Sequence, residues 1–224
     1  MDQETIYARH AEEYDHLVEA EDCDHNLLPA ILRVADVDGR DVLEVGAGTG
    51  RLTRLLVGAG ARVRAFDRSQ AMLDVARRHL GHACRLEVAD AELLPVEDGW
   101  ADLAIAGWVF GHFRSWMPDD WKTHVTRALV EMRRALKLGA PLVVIETLGT
   151  GSETPAPPNA GLAEYYAWLE AQGFRRTPIR TDYQFATIDE AASTMGFFFG
   201  DAFAERVRKE RWTRIPECTG IWSA

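Results

Sequence analysis

From residue 41 onward, short apolar runs alternate with stretches whose apolar residues recur every three or four positions. Asp41–Val45 reads as a strand, and residues 50–58 as a helix with Leu52, Leu55 and Leu56 on one side. Arg62–Asp67 is a second strand. Ser69 can cap a helix over Gln70–Leu80, which turns Met72, Leu73 and Ala76 inward. Residues 84–89 and 102–108 form a third and a fourth strand. Pro118 suits the first turn of a long helix with Trp121, Val125, Leu129, Met132 and Leu136 as its buried stripe, and Gly139 ends it. Residues 142–148 form a fifth strand. The β-α-β-α succession predicts a parallel sheet with helices on both faces.

The second half is less regular. Residues 149–160 are rich in Gly, Pro and Ser and read as a mobile connection. A helix over 161–172 follows, then strand character over 175–187. A helical stretch over 189–211 is interrupted at 196–200, and a last strand covers 214–222. The expected division is an N-terminal helical lid over 1–40 and one domain over 41–224, with the substrate-defining insertions in 149–212.

Charge narrows the function classes. The 224 residues carry 25 Lys and Arg against 35 Asp and Glu, a net −10, and 47% are hydrophobic. Residues 1–40 hold a net −8, residues 41–150 are neutral, and 151–224 carry −2. An acidic chain disfavours nucleic acid and anionic membrane surfaces as partners. No apolar run approaches the roughly 18 residues of a membrane span. The acidic opening lacks the order of a signal peptide. Cys23, Cys84 and Cys218 are widely spaced, with no CxxC pair, which predicts reduced thiols, a cytoplasmic location and no metal site.

The chemistry concentrates in Val42-Leu43-Glu44-Val45-Gly46-Ala47-Gly48-Thr49-Gly50, a strand running into a glycine turn that opens a helix. Such turns let a ligand approach the backbone. A dinucleotide fingerprint would require a third glycine where Arg51 stands. The GxGxG spacing, Asp67 at the end of the second strand, Asp90 after the third and Ala101–Trp108 as the fourth together resemble class I S-adenosylmethionine (SAM)-dependent methyltransferases. The opening Tyr7–Asp15 is similar to small-molecule enzymes related to the quinone-biosynthesis C-methyltransferases.

That resemblance implies a Rossmann-like, doubly wound, mostly parallel seven-stranded sheet under an N-terminal helical lid. It also implies SAM as cofactor and S-adenosylhomocysteine as product. Gly46, Ala47 and Gly48 would contact the cofactor through their backbone, and Asp67 would hold the ribose hydroxyls with Arg68 beside it. Asp90 and Ala91 would meet the adenine, and Gly107 and Trp108 would lie beside the methionine moiety. Glu44 would reach the amino acid part through water or stand behind it as a buried acid. Met72 would pack on the adenine or in the core. Tyr14 would close the lid or pack within it.

The expected reaction is in-line methyl transfer to a small organic acceptor, its O, N or C atom open, mainly through positioning. His112 is the candidate general base, with loop support as the alternative. His10, Glu146 and Tyr183 are candidate substrate contacts. A SAM-binding regulatory or inactive subunit, and a methyltransferase acting on a protein, are the alternative functions.

Overall fold

A computed structural model describes residues 3–224; Met1 and Asp2, the first two residues of the expected lid, lie outside the described residues. Three short helices lead the chain: α1 (Gln3–Arg9), α2 (Ala11–Glu19) and α3 (Leu27–Leu32). The repeating half follows as β1 (Asp41–Val45), α4 (Arg51–Gly58), β2 (Arg62–Asp67), α5 (Gln70–Leu80), β3 (Arg85–Val88), β4 (Leu103–Gly107), α6 (Phe110–Trp116), α7 (Trp121–Ala135) and β5 (Leu142–Thr150). The remainder comprises α8 (Ala160–Ala171), β6 (Arg175–Arg180), β7 (Tyr183–Gln184), α9 (Ile188–Phe199), α10 (Asp201–Glu210), β8 (Arg214–Ile215) and β9 (Glu217–Ser223).

Seven strands form one sheet in the order β3-β2-β1-β4-β5-β9-β6. The first five are parallel, and β9 runs antiparallel to both its neighbours. This is the expected mostly parallel, doubly wound α/β sheet. Alternation along β1 and β4 sorts the core into two layers. Val42, Leu103 and Ile105 pack with α3, α4 and α5. Leu43, Val45, Ala104 and Ala106 face α7 and α8, where Trp121, Tyr165, Tyr166 and Trp222 fill the space.

The N-terminal helices dock onto α5. Ala11 packs with Met72 and Val75, and the Ser69 hydroxyl donates to the Tyr7 carbonyl at 3.0 Å. Much of the acid of this segment is tied down there. Glu12 meets Arg78 at 2.7 Å, Asp15 meets His79 at 2.6 Å, Glu19 meets Arg54 at 3.2 Å and Glu21 meets Arg51 at 2.6 Å. Asp15, Glu19 and His79 have metal-ligand spacing, but Arg54 contacts both carboxylates and makes the group an ion-pair network. Among the described residues no helix is long and apolar enough to cross a membrane.

Several expectations are corrected. Pro118 does not open the long helix. A separate helix, α6, occupies 110–116, and α7 starts at Trp121. Leu136 lies just past α7 with an extended backbone, outside the helical stripe. The chain breaks at His10 (φ −134°, ψ 40°), which divides the opening segment into α1 and α2, and the Tyr7 and Tyr14 rings meet edge to face across the break at 5.1 Å. The strand character of 175–187 divides between β6 in the main sheet and β7 in a two-stranded sheet with β8, and Pro216 separates β8 from β9. Residues 149–150 extend β5 beyond a bulge.

The expected interruption at 196–200 shrinks to Gly200, where φ is +88°. Gly196 lies inside α9, where a Cβ would stand 2.8 Å from the Cβ of Ala204 on α10. That glycine sets how closely the two helices approach. Gly196→Val is expected to force them apart and cost about 1–3 kcal/mol, read as a lower denaturant midpoint with an unchanged slope.

Candidate functional site

β1 ends in the glycine turn because Gly46 adopts φ +72°, and a Cβ there would stand 2.1 Å from Val109 Cγ2. The Gly46 and Ala47 N–H groups donate to the Phe66 carbonyl of β2 at 2.7 and 3.0 Å. Asp67 then braces the turn from the side: Oδ2 accepts from the Gly48 N–H at 2.8 Å and Oδ1 from the Ser69 N–H at 2.7 Å. Burial raises the Asp67 carboxyl above its ordinary value, and these donors partly offset that.

A cavity of about 280 Å³ opens over this turn. The structure brings Tyr14, Gly46, Gly48, Asp67, Arg68, Met72, Asp90, Ala91, Gly107, Trp108 and His112 to its wall. Asp90 follows β3, and its Oδ1 accepts from the Glu92 N–H at 2.8 Å. Glu44 and Ala47 line a smaller recess below, together with Thr49, Arg51 and Trp108. In the sheet Glu44 stands level with Ala65 and Ile105, under α4. Both of its oxygens are buried without a hydrogen-bond partner, and burial pushes the carboxyl up to about 8.

A second cavity of about 210 Å³ adjoins the first and holds Glu146, Tyr183, Glu21, Arg51 and Glu217. Tyr7, Tyr14, Trp108 and His112 line both cavities and so form the partition between them. Trp108 has an unusual left-handed backbone (φ +55°); its N–H donates to the Ile145 carbonyl at 2.7 Å, and Arg51 lies 4.3 Å over its ring. His112 Nε2 is 2.9 Å from the Tyr7 hydroxyl. The imidazole stacks on Trp116 at 4.8 Å, and Arg68 covers the same indole at 4.5 Å. Burial, helped by the Arg68 charge, pushes His112 down to about 4, so it is neutral at physiological pH.

Glu146 is engaged: it accepts from the Gly111 N–H at 2.9 Å and from the Tyr165 hydroxyl at 3.3 Å. Burial holds its carboxyl near 8. His10 lines neither cavity. It pairs with Glu13 at 3.2 Å and packs on Phe197, outside the partition that Tyr7 and Tyr14 form. Four participants escaped the sequence reading. Arg51 entered it only as a mismatch to a dinucleotide motif, and Tyr7 only as the first residue of the opening motif. Glu21 and Glu217 had no motif, because residues 196 positions apart meet only through the sheet order.

Known proteins agree with this architecture. Residues 43–144 match the methyltransferase domain family. Demethylmenaquinone methyltransferase of Clavibacter sepedonicus is 36% identical over 115 residues, covering 50% of this chain and 43% of that protein. Ribosomal RNA small subunit methyltransferase A of an Anaeromyxobacter species is 36% identical over 136 residues, covering 53% of this chain and 48% of the relative. The chain thus spans less than half the length of either of these curated relatives. The crystal structure of the YcgJ protein from Bacillus subtilis superimposes with a TM-score of 0.60 at 16% identity, over 89% of this chain and 97% of that one. The glycine turn and the acid after β2 fall inside the segment matched by the methyltransferase domain family, within a seven-stranded sheet of the kind that solved structure shares.

Proposed function

We propose that this protein transfers a methyl group from SAM to a small organic acceptor. The observation that carries the reading is the pair of adjoining cavities separated by Tyr7, Tyr14, Trp108 and His112. One cavity suits the donor and the other the acceptor, with the transfer across the shared wall. A SAM-binding regulatory subunit would have no need of the second cavity. SAM supplies, when bound, a methyl group already activated by its sulfonium.

The chain's residues then bind and orient. Asp67 accepts hydrogen bonds from the ribose hydroxyls, with oxygen lone pairs left over from the turn. Asp90 and the Ala91 backbone meet the adenine, Met72 packs against it, and Arg68 closes that side. Gly46, Ala47 and Gly48 admit the ligand close to the backbone. The unpartnered Glu44 oxygens suit the ammonium of the amino acid part, and the buried, unpartnered Nη2 of Arg51 suits its carboxylate. Gly107 and Trp108 flank the methyl, and Tyr14 closes the lid that residues 1–40 supply. Glu146 and Tyr183 face the acceptor. His10 has no role in this arrangement.

His112 and Tyr7 give an acceptor hydroxyl or carbon acid a route for its proton, directly onto Nε2 or through the phenol onto Nε2. An amine arriving neutral needs no such route. The net charge of −10 supports a small molecule over a phosphate-rich partner, and three free cysteines suit a cytoplasmic setting.

Calorimetry tests the donor site. S-adenosylhomocysteine is expected to bind and NAD(H) not to. Asp67→Ala should weaken S-adenosylhomocysteine by about 10- to 100-fold, the worth of a lost charge-assisted pair; unchanged affinity would place the ribose elsewhere. Once an acceptor is in hand, His112→Ala should slow transfer to a hydroxyl by about 10²–10⁴-fold. Tyr7→Phe should match it only if the proton passes through the phenol.

The pH profile supplies a further check. A base acts while unprotonated, and His112 is held down to about 4. Activity that depends on it should therefore persist below the ordinary histidine range of about 6.5 and fall as pH drops through about 4. A loss centred on 6.5 would point to a different, exposed base.

A further inference from the structure

The second cavity carries more acid than methyl transfer requires. Glu21, Glu146 and Glu217 line it against a single guanidinium, Arg51. Glu146 Oε1 accepts from the Gly111 N–H and the Tyr165 hydroxyl. Glu21 gives Oε2 to Arg51 at 2.6 Å, and Glu217 Oε1 accepts from the Thr147 hydroxyl at 2.6 Å. The second oxygen of each, Glu21 Oε1 and Glu217 Oε2, is buried with no hydrogen-bond partner. The Glu21 side chain is 4% exposed and Glu217 2%. The Tyr183 hydroxyl lies beside Glu21 and the Thr150 hydroxyl beside Glu217.

Two buried carboxylate oxygens left without partners are costly unless a ligand supplies donors and positive charge. We infer that the acceptor molecule carries a protonated amine, seated between Glu21 and Glu217 in the second cavity. The inference rests on the methyl-transfer reading and names the substrate class within it.

The chemistry of the floor selects the cation. An ammonium offers several N–H donors and no acceptor, which matches two unpaired acceptors. A carboxylate or phosphate would instead face two acids, with Arg51 Nη1 on Glu21 and its Nη2 turned to the carboxylate of the donor. The aromatic wall of Tyr14, Tyr183, Phe198 and Phe199 favours a cationic head on an organic body. Burial, and after it the Glu21 charge, push the Glu217 carboxyl up to about 8, and an ammonium between the two acids would relieve that crowding.

Position separates this anchor from the reacting atom. Glu21 and Glu217 line the second cavity but not the first, whereas His112 and Trp108 line both. An ammonium clasped by carboxylates has its lone pair occupied by a proton and cannot attack a methyl group. The methylated atom is therefore a different one, at the His112 end of the same molecule.

Three matched probes test this on the protein saturated with S-adenosylhomocysteine: tyramine, 4-ethylphenol and 3-(4-hydroxyphenyl)propionate, which differ chiefly in the charge of one end. Calorimetry should show tyramine binding about tenfold or more tighter than either companion. Glu217→Gln should erase that preference while leaving S-adenosylhomocysteine affinity intact. Glu21→Gln, which releases Arg51, should shift the preference toward the propionate. Equal affinities in the wild-type protein, tighter binding of the neutral or anionic probe, or no binding of tyramine would overturn the inference; this arm needs no variant to fold. Failure of S-adenosylhomocysteine itself to bind would instead overturn the methyl-transfer reading.

Discussion

One carboxylate joins the two sides of the first cavity. Asp67 accepts from Gly48 in the turn after β1 and from Ser69 at the cap of α5, so a single buried acid ties the ends of two neighbouring strands to the starts of two helices. The turn cannot relax without breaking these bonds, and the acid cannot swing away without exposing two backbone donors. The cavity is thus held open by the same group that the proposed function asks to bind the ribose. Such preorganisation lowers the ordering cost of ligand binding.

The partition depends on that brace through a chain of contacts. The Ser69 hydroxyl fixes the Tyr7 carbonyl, the Tyr7 hydroxyl meets His112, and His112 stacks on Trp116 beneath Arg68. The position of α1 and the placement of the imidazole are therefore linked. The acidity of the N-terminal segment also takes a different meaning. Glu12, Asp15, Glu19 and Glu21 face bases on α4 and α5, so this charge docks the segment to the sheet domain. Exposed pairs of this kind are individually weak; Glu21 and Arg51 are the buried exception.

The legible part of the sequence was the part governed by local rules. The turn at Gly46, Gly48 and Gly50 and the acid at Asp67 announce themselves within about 25 residues, because each strand-helix unit completes itself before the next begins. The helix α6 stayed hidden: seven residues containing Gly111, with no capping side chain, carry little intrinsic signal. The break at His10 was equally silent, since Tyr7 and Tyr14 meet whether or not the helix continues. Glu21 and Glu217 belong to another class of omission. They come together only because β9 enters the sheet beside β5, a long-range event that no local pattern encodes.

That insertion of β9 also bears on how the molecule assembles. β9 lies between β5 and β6, and β6 pairs with no other strand of the sheet. During synthesis β6 emerges some forty residues before its only partner, and must wait unpaired while α9 and α10 form. The parallel half can fold from near-neighbour contacts, but this side depends on pairings of large sequence separation, which close slowly. The second cavity, with Glu217 at the start of β9, therefore depends on the slower-closing side of the sheet.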